Sequence, residues 1–174
     1  MKLGAKELRV SKPTKKQISK IKRRDIYFVL DSVLDTYNVG GIFRLADATG
    51  VKKVYLCGLT ETPPNTRIKK ASINTTEWVN WEYKESALEA IQSLRKSLPN
   101  IQVVSVEQST KSIPYLQVDY KLPIVLVVGN ETTGVSKEVL KNSDYVAEIP
   151  MFGINRSLNV IVSLAIVVFG ISVS

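Results

Sequence analysis

Short continuous apolar runs alternate along this chain with longer stretches whose apolar residues recur every three or four positions. Residues 26–30, 53–57, 101–106, 124–128 and 145–149 are rich in Val, Ile and Tyr and predict buried strands, with a shorter strand over 79–83. Between them, residues 38–49 predict a helix capped by Asn38 and stopped by Gly50. Ile42, Leu45, Ala46 and Thr49 share one face of it, and Arg44 lies roughly opposite, pointing out of the core. A second amphipathic helix over 85–98 turns Ala87, Leu88, Ile91, Leu94 and Leu98 inward and ends at Pro99-Asn100. Residues 58–76 and 109–121 read as irregular connections. Strands alternating with helices define the expected fold class: α/β, a mostly parallel sheet with helices on both faces.

The last helical segment breaks the amphipathic rule. Residues 160–173 are almost wholly apolar, and Ser157 is placed to cap a helix starting at Leu158. Leu158, Ile161, Val162, Ala165, Ile166 and Phe169 form one stripe, while Val160, Leu164, Val167, Val168 and Ile171 fill the other side. A helix apolar all round must be covered all round, and in so small a domain the second cover is expected to be another copy of the chain, giving a homodimer. The many β-branched residues make a strand the competing reading.

Charge divides the chain. Of 174 residues 44% are apolar, enough for one compact domain, and the net charge of +8 is concentrated at one end. Residues 1–24 hold ten Lys and Arg against Glu7 alone, and the remainder holds 14 basic and 15 acidic residues. This predicts a basic N-terminal arm over 1–24 and a near-neutral domain over 25–174. The arm is either a phosphate-backbone contact or a solvated tail. It lacks the apolar core of a secretory signal, and the apolar run of about 14 residues at the other end is too short to span a bilayer. A soluble cytoplasmic protein with no membrane association is expected. Cys57 is the single cysteine and is expected to pack as a small hydrophobe. The chain has no histidine, which removes Ser-His-Asp and Cys-His catalysis and any His-ligated zinc site.

Candidate chemistry gathers where two buried strands run into polar loops. Residues 129–136 nearly match the phosphate-binding pattern G-x-x-x-x-G-K-[ST], but Val135 stands where its lysine belongs, which excludes a nucleotide-phosphate loop. The backbone amides of this glycine-bearing loop are expected to grip a less charged ligand, with Glu131 at its tip. In the second loop Pro150 ends a strand and Gly153 permits a bend, and Asn159 is a polar residue opening an apolar helix. Gly40 and Gly41, costly in a first helical turn, imply close approach of a backbone or ligand. Arg23 and Arg24 at the end of the arm, with Arg67, Lys69 and Lys70 in the 58–76 connection, are the candidate RNA contacts.

Asn38, Gly41, Arg44, Ala46 and Gly50, then Gly129-Asn130-Glu131 and Gly134, then Ile149-Pro150-Met151, Gly153 and Ser157-Leu158-Asn159 stand in order at separations that resemble the SpoU (TrmH) family of the SPOUT superfamily. Those proteins are RNA ribose 2′-O-methyltransferases that use S-adenosylmethionine, and the likeness covers about residues 26–171. The resemblance implies a C-terminal trefoil knot, a homodimer, and a cofactor pocket in the knot formed by Val106, Gly129, Ile149, Met151 and Leu158. It implies Arg44 as the catalytic arginine, with Asn38, Glu131, Ser157 and Asn159 as the other polar positions of the site, and no metal. The near-minimal single domain favours tRNA over ribosomal RNA as substrate, the alternatives being the same activity on ribosomal RNA or a non-catalytic RNA-binding protein of the same fold. Ile161 departs from the family pattern, which has a small polar residue there.

Overall fold

The computed structural model describes residues 2–171. Seven strands, β1 (Arg24–Asp31), β2 (Val51–Cys57), β3 (Trp81–Lys84), β4 (Gln102–Val106), β5 (Ile113–Pro114), β6 (Ile124–Gly129) and β7 (Tyr145–Glu148), form one sheet in the order β3-β2-β1-β6-β4-β7-β5. Every neighbouring pair is parallel. The chain winds outward from β1 through β2 to β3, returns to lay β4 on the other side, and later slots β6 between β1 and β4 and β7 between β4 and β5. Both late insertions bring strand C-termini, with the loops that follow them, to one edge of the sheet.

Side chains leave a strand alternately on its two faces, and the core divides accordingly. Ile26, Phe28 and Leu30 of β1 face one side with Leu126 and Val128 of β6; Tyr27 and Val29 face the other with Val125 and Val127. On the first face lie α3 (Thr36–Thr49), contributing Ile42, Phe43 and Ala46, and α7 (Val160–Gly170), contributing Leu164, Val167 and Val168. On the second lie α5 (Ala87–Ser97), with Ala87, Ala90, Ile91 and Leu94 buried, and the short α6 (Lys137–Lys141) through Val139. Cys57 is packed in that second core, where burial pushes its thiol up to about 12.

Several elements differ from the sequence pattern. The cap of α3 is Asp35, whose carboxylate accepts the Tyr37 amide at 2.8 Å, so Asn38 lies inside the helix and is free for another task. The connection over 58–76 carries α4 (Thr66–Ser72), capped by Asn65. Its seven residues bury only Ile68 and Ser72, too little periodicity to announce a helix. The cap of α7 is Asn159, which accepts the Ile161 amide at 2.9 Å; Ser157 stands outside the helix. Residues 172–174, the end of the predicted apolar run, lie outside the described residues. No described helix is long and apolar enough to cross a membrane.

The arm is folded onto the body. Helices α1 (Ala5–Val10) and α2 (Lys15–Ile18) are short, and Leu8, Ile18 and Ile21 pack against the first core. Asn74 donates to the Leu8 carbonyl at 2.8 Å, and Lys12 pairs with Glu77 at 2.9 Å.

The two stripes of the last apolar segment separate only in part, since Ile161 and Ala165, on the stripe expected to face a second copy, pack against this chain's own core. Leu164, Val167, Val168 and Ile171 are buried in the body, whereas Leu158, Val162 and Phe169 are 40, 45 and 51% exposed. The glycine pair of α3 is explained by its neighbours. A side chain on Gly40 would meet the Ile68 carbonyl of α4 at 2.8 Å, and one on Gly41 would overlap Ile161 of α7. Ile161, the residue that departs from the family pattern, thus fills the notch that Gly41 leaves.

Candidate functional site

Four strand ends set the site. In the register Asp31 pairs with Gly129, Ser105 with Val127 and Val106 with Ala147, so β1, β6, β4 and β7 deliver their following loops to one rim. A cavity of about 540 Å³ opens there, floored by Val106, Val128 and Ala147 and walled by residues 129–132 and Gly134 on one side and by Ile149, Met151 and residues 155–159 on the other. All five expected cofactor contacts, Val106, Gly129, Ile149, Met151 and Leu158, line it, as do Glu131, Ser157 and Asn159.

The polar residues of the three motifs are joined by hydrogen bonds. Glu131 accepts from the Leu34 amide (3.1 Å), the Asp35 amide (3.1 Å) and Asn38 Nδ2 (2.9 Å). Asn38, 5% exposed, accepts in turn from Asn159 Nδ2 at 2.9 Å through its own Oδ1. Asn159 then caps α7. A single chain of contacts therefore locks the start of α3, the turn after β6 and the start of α7 to one another. Glu131, Asn38 and Asn159 position the walls of the cavity: both ends of the Asn38 amide and both oxygens of Glu131 are engaged within the protein.

Burial alone would raise the Glu131 carboxyl, but the bonds from Asn38 and from the Leu34, Glu131 and Asp35 amides outweigh it and hold the group below its ordinary value. A carboxyl depressed on folding adds stability above its unfolded pKa and loses it as the pH falls through the folded one. Wild type is therefore expected to melt above Glu131→Gln near neutrality, with the gap closing as the pH falls below the ordinary carboxyl range and through the lowered folded value. Melting curves of the two proteins across that range check this.

The loop over 130–136 corrects one expectation. Its amides do not grip a ligand, because the protein consumes them. Asn130 N and Gly134 N bond across the turn, Thr132 N and Thr133 N go to Asn130 Oδ1, Val135 N to Glu107 and Ser136 N to Asp31. In the second loop the amides of Met151, Asn155 and Arg156, which line the cavity, bond to no described residue.

Arg44 does not line the cavity. It stands exposed on α3 and makes no hydrogen bond or ion pair with a described residue; Asp47, its nearest acidic neighbour in sequence, accepts instead from Trp78 Nε1 at 2.7 Å. Among the expected RNA contacts, Arg67, Lys69 and Lys70 are exposed on α4 and Arg24 is half-buried at the start of β1. Arg23 has a further task within the protein. Its guanidinium donates to the Val51 carbonyl at 3.2 Å and the Trp78 carbonyl at 2.9 Å, tethering the arm, and burial lowers its pKa against the opposing pull of Asp47. Sequence reasoning missed Glu107, Gln108 and Arg156, which also line the cavity. The position of Glu107 directly after a strand was the same signal that had pointed to Gly129.

Loops from successive motifs, meeting at the point where the strand order doubles back, define a ligand-binding α/β domain of the doubly wound kind. The chain belongs to the SpoU rRNA Methylase family, whose model matches residues 25–169. It is 31% identical over 160 residues to tRNA (guanosine(18)-2'-O)-methyltransferase of Aquifex aeolicus, covering 88% of this chain and 72% of that protein. The Escherichia coli (strain K12) protein of the same name is 28% identical over 83% of this chain, which spans 62% of that relative's length. Among solved structures, the A. aeolicus TrmH/SpoU tRNA modifying enzyme matches with a TM-score of 0.78 and 29% identity over 95% of this chain and 79% of its own. An AdoMet-bound rRNA methyltransferase from Sinorhizobium meliloti matches with a TM-score of 0.77 and 29% identity, covering 86% of this chain and 56% of its own.

Proposed function

We propose that this protein is an S-adenosylmethionine-dependent RNA ribose 2′-O-methyltransferase that acts on tRNA as a homodimer. The observation that carries the reading is the cavity. Its apolar floor suits a purine, and the motif residues expected to hold the cofactor all reach it. S-adenosylmethionine supplies, when bound, a methyl group already activated by its sulfonium. The work left to the protein is to aim a ribose hydroxyl in line and assist loss of its proton.

Arg44 is the group suited to aiming that hydroxyl, being a cation without a side-chain partner among the described residues, on the helix that the Glu131–Asn38–Asn159 contacts fix against the cavity. A guanidinium stays charged in proteins and cannot take the hydroxyl's proton, which leaves to solvent. It therefore orients the hydroxyl and stabilises developing negative charge. The 2′-hydroxyl is also what separates RNA from DNA. The exposed cations of α4, with those of the arm, supply the basic surface for phosphates. The names of the A. aeolicus and E. coli relatives favour tRNA, and with it a cytoplasmic location. The same reading includes the threading of the C-terminal segment as a trefoil.

The test is transfer of labelled methyl from S-adenosylmethionine to separated tRNA and ribosomal RNA, followed by mapping of the position resistant to alkaline cleavage. Label in tRNA is expected. Label in ribosomal RNA alone overturns the substrate, and no label in either overturns the activity. For the dimer, Val162→Asp with Phe169→Asp places two carboxylates on a stripe that is already exposed in the single chain, so the fold should survive. Light scattering is expected to give a dimer for wild type and a monomer for the double variant; a monomeric wild type refutes the homodimer.

A further inference from the structure

Glu107 follows β4 by one residue and stands beside Val106 of the cavity floor. Its carboxylate is held rigidly: Oε1 accepts the Gln108 amide at 2.8 Å and Oε2 the Val135 amide at 2.9 Å. A side chain on Gly134 would overlap Oε2, so the glycine is what lets the carboxylate lie against the turn. Gln108 closes the same corner by donating to the Arg156 carbonyl at 2.8 Å. An ionised carboxylate has about four acceptor sites, and two amides leave about two, side by side, one on each oxygen.

We propose that Glu107 is a binding residue for the cofactor's adenosine, its two oxygens accepting from the vicinal 2′- and 3′-hydroxyls of the ribose. This rests on the reading of the cavity as an S-adenosylmethionine site. Two oxygens of one fixed carboxylate match two neighbouring hydroxyls, and a carboxylate beyond a strand end grips nucleoside hydroxyls in other doubly wound sheets. The position also separates this role from contact with the sulfonium. Glu107 lies at the β4 side of the cavity, while Glu131, Asn38 and the helix bearing Arg44 lie at the β1 side, where the methyl is delivered.

The experiment is calorimetry on the full chain with S-adenosylhomocysteine and its 2′-deoxy and 3′-deoxy ribose analogues, for wild type and Glu107→Gln. Wild type is expected to bind each deoxy analogue at least about tenfold more weakly than the parent, and Glu107→Gln to reduce that penalty below about threefold. Equal affinity of wild type for all three compounds overturns the proposal and needs no variant, so it stands even if Glu107→Gln misfolds. An unchanged penalty in a folded Glu107→Gln overturns it as well. Loss of affinity for S-adenosylmethionine with none for S-adenosylhomocysteine assigns Glu107 to the sulfonium charge and overturns the diol. If wild type binds neither parent compound, the cofactor reading itself fails, which is a separate outcome from these.

Discussion

Arg44→Ala is expected to reduce methyl transfer by roughly a thousandfold, the scale of removing a main stabiliser of developing charge, while cofactor affinity stays within about twofold. The asymmetry follows from placement. Arg44 is exposed, is absent from the cavity wall and has no described partner, so truncating it creates no cavity in the core and orphans no buried group. Stability should move by no more than about 0.5 kcal/mol. Arg44→Lys keeps the charge but loses the planar fork, and should fall between wild type and alanine. Single-turnover transfer at saturating RNA, with calorimetry on S-adenosylmethionine and a melting curve, separates the three quantities. A near-normal rate for Arg44→Ala removes the arginine from the mechanism.

Gly129→Ala is expected to act through the wall. A methyl group there would overlap the backbone of Gly134 and Val135, and neither can retreat. The turn is closed by the paired Asn130 and Gly134 amides, by Asn130 Oδ1 on Thr132 N and Thr133 N, and by Asn130 Nδ2 on the Ser32 carbonyl at 3.0 Å. Overpacking of this kind costs about 1–3 kcal/mol, which for a domain of this size lowers Tm by roughly 3–10 °C. Displacing the wall should also weaken S-adenosylmethionine at least about tenfold. Gly153→Ala is the control, since a side chain there meets nothing within 4 Å, and its stability change should stay within about 0.5 kcal/mol. Equal Tm for wild type and Gly129→Ala would show that the turn yields, contrary to its bonding.

Both substitutions bear on how much of the molecule could be read before it was folded. The long strands were legible because each is a continuous apolar run buried on both faces, and α5 because its period is regular. The elements that escaped, α1, α2, α4 and α6, are four to seven residues long and dock by one or two side chains, such as Ile68 and Val139. No window that short carries a period.

The site divides along the same line. Residues named by type and order, Gly129, Ile149, Met151 and Leu158 among them, came out on the cavity wall. Their tasks did not follow from type. Asn38 was read as a cap and proved to be the bridge from Glu131 to Asn159, 93 and 121 residues away, because Asp35 had taken the cap. Arg23 was read as a phosphate contact, and its guanidinium also holds two backbone carbonyls.

The sequence by itself determined the strands, the larger helices and the motif residues, because burial and local hydrogen bonding act over a few neighbouring positions. Only the tertiary structure decided that β6 enters between β1 and β4, that Glu131 spends its carboxylate on α3, and that Glu107 faces the cavity. Those choices depend on which distant groups meet, and pairing across a hundred residues leaves no local pattern of polarity to read.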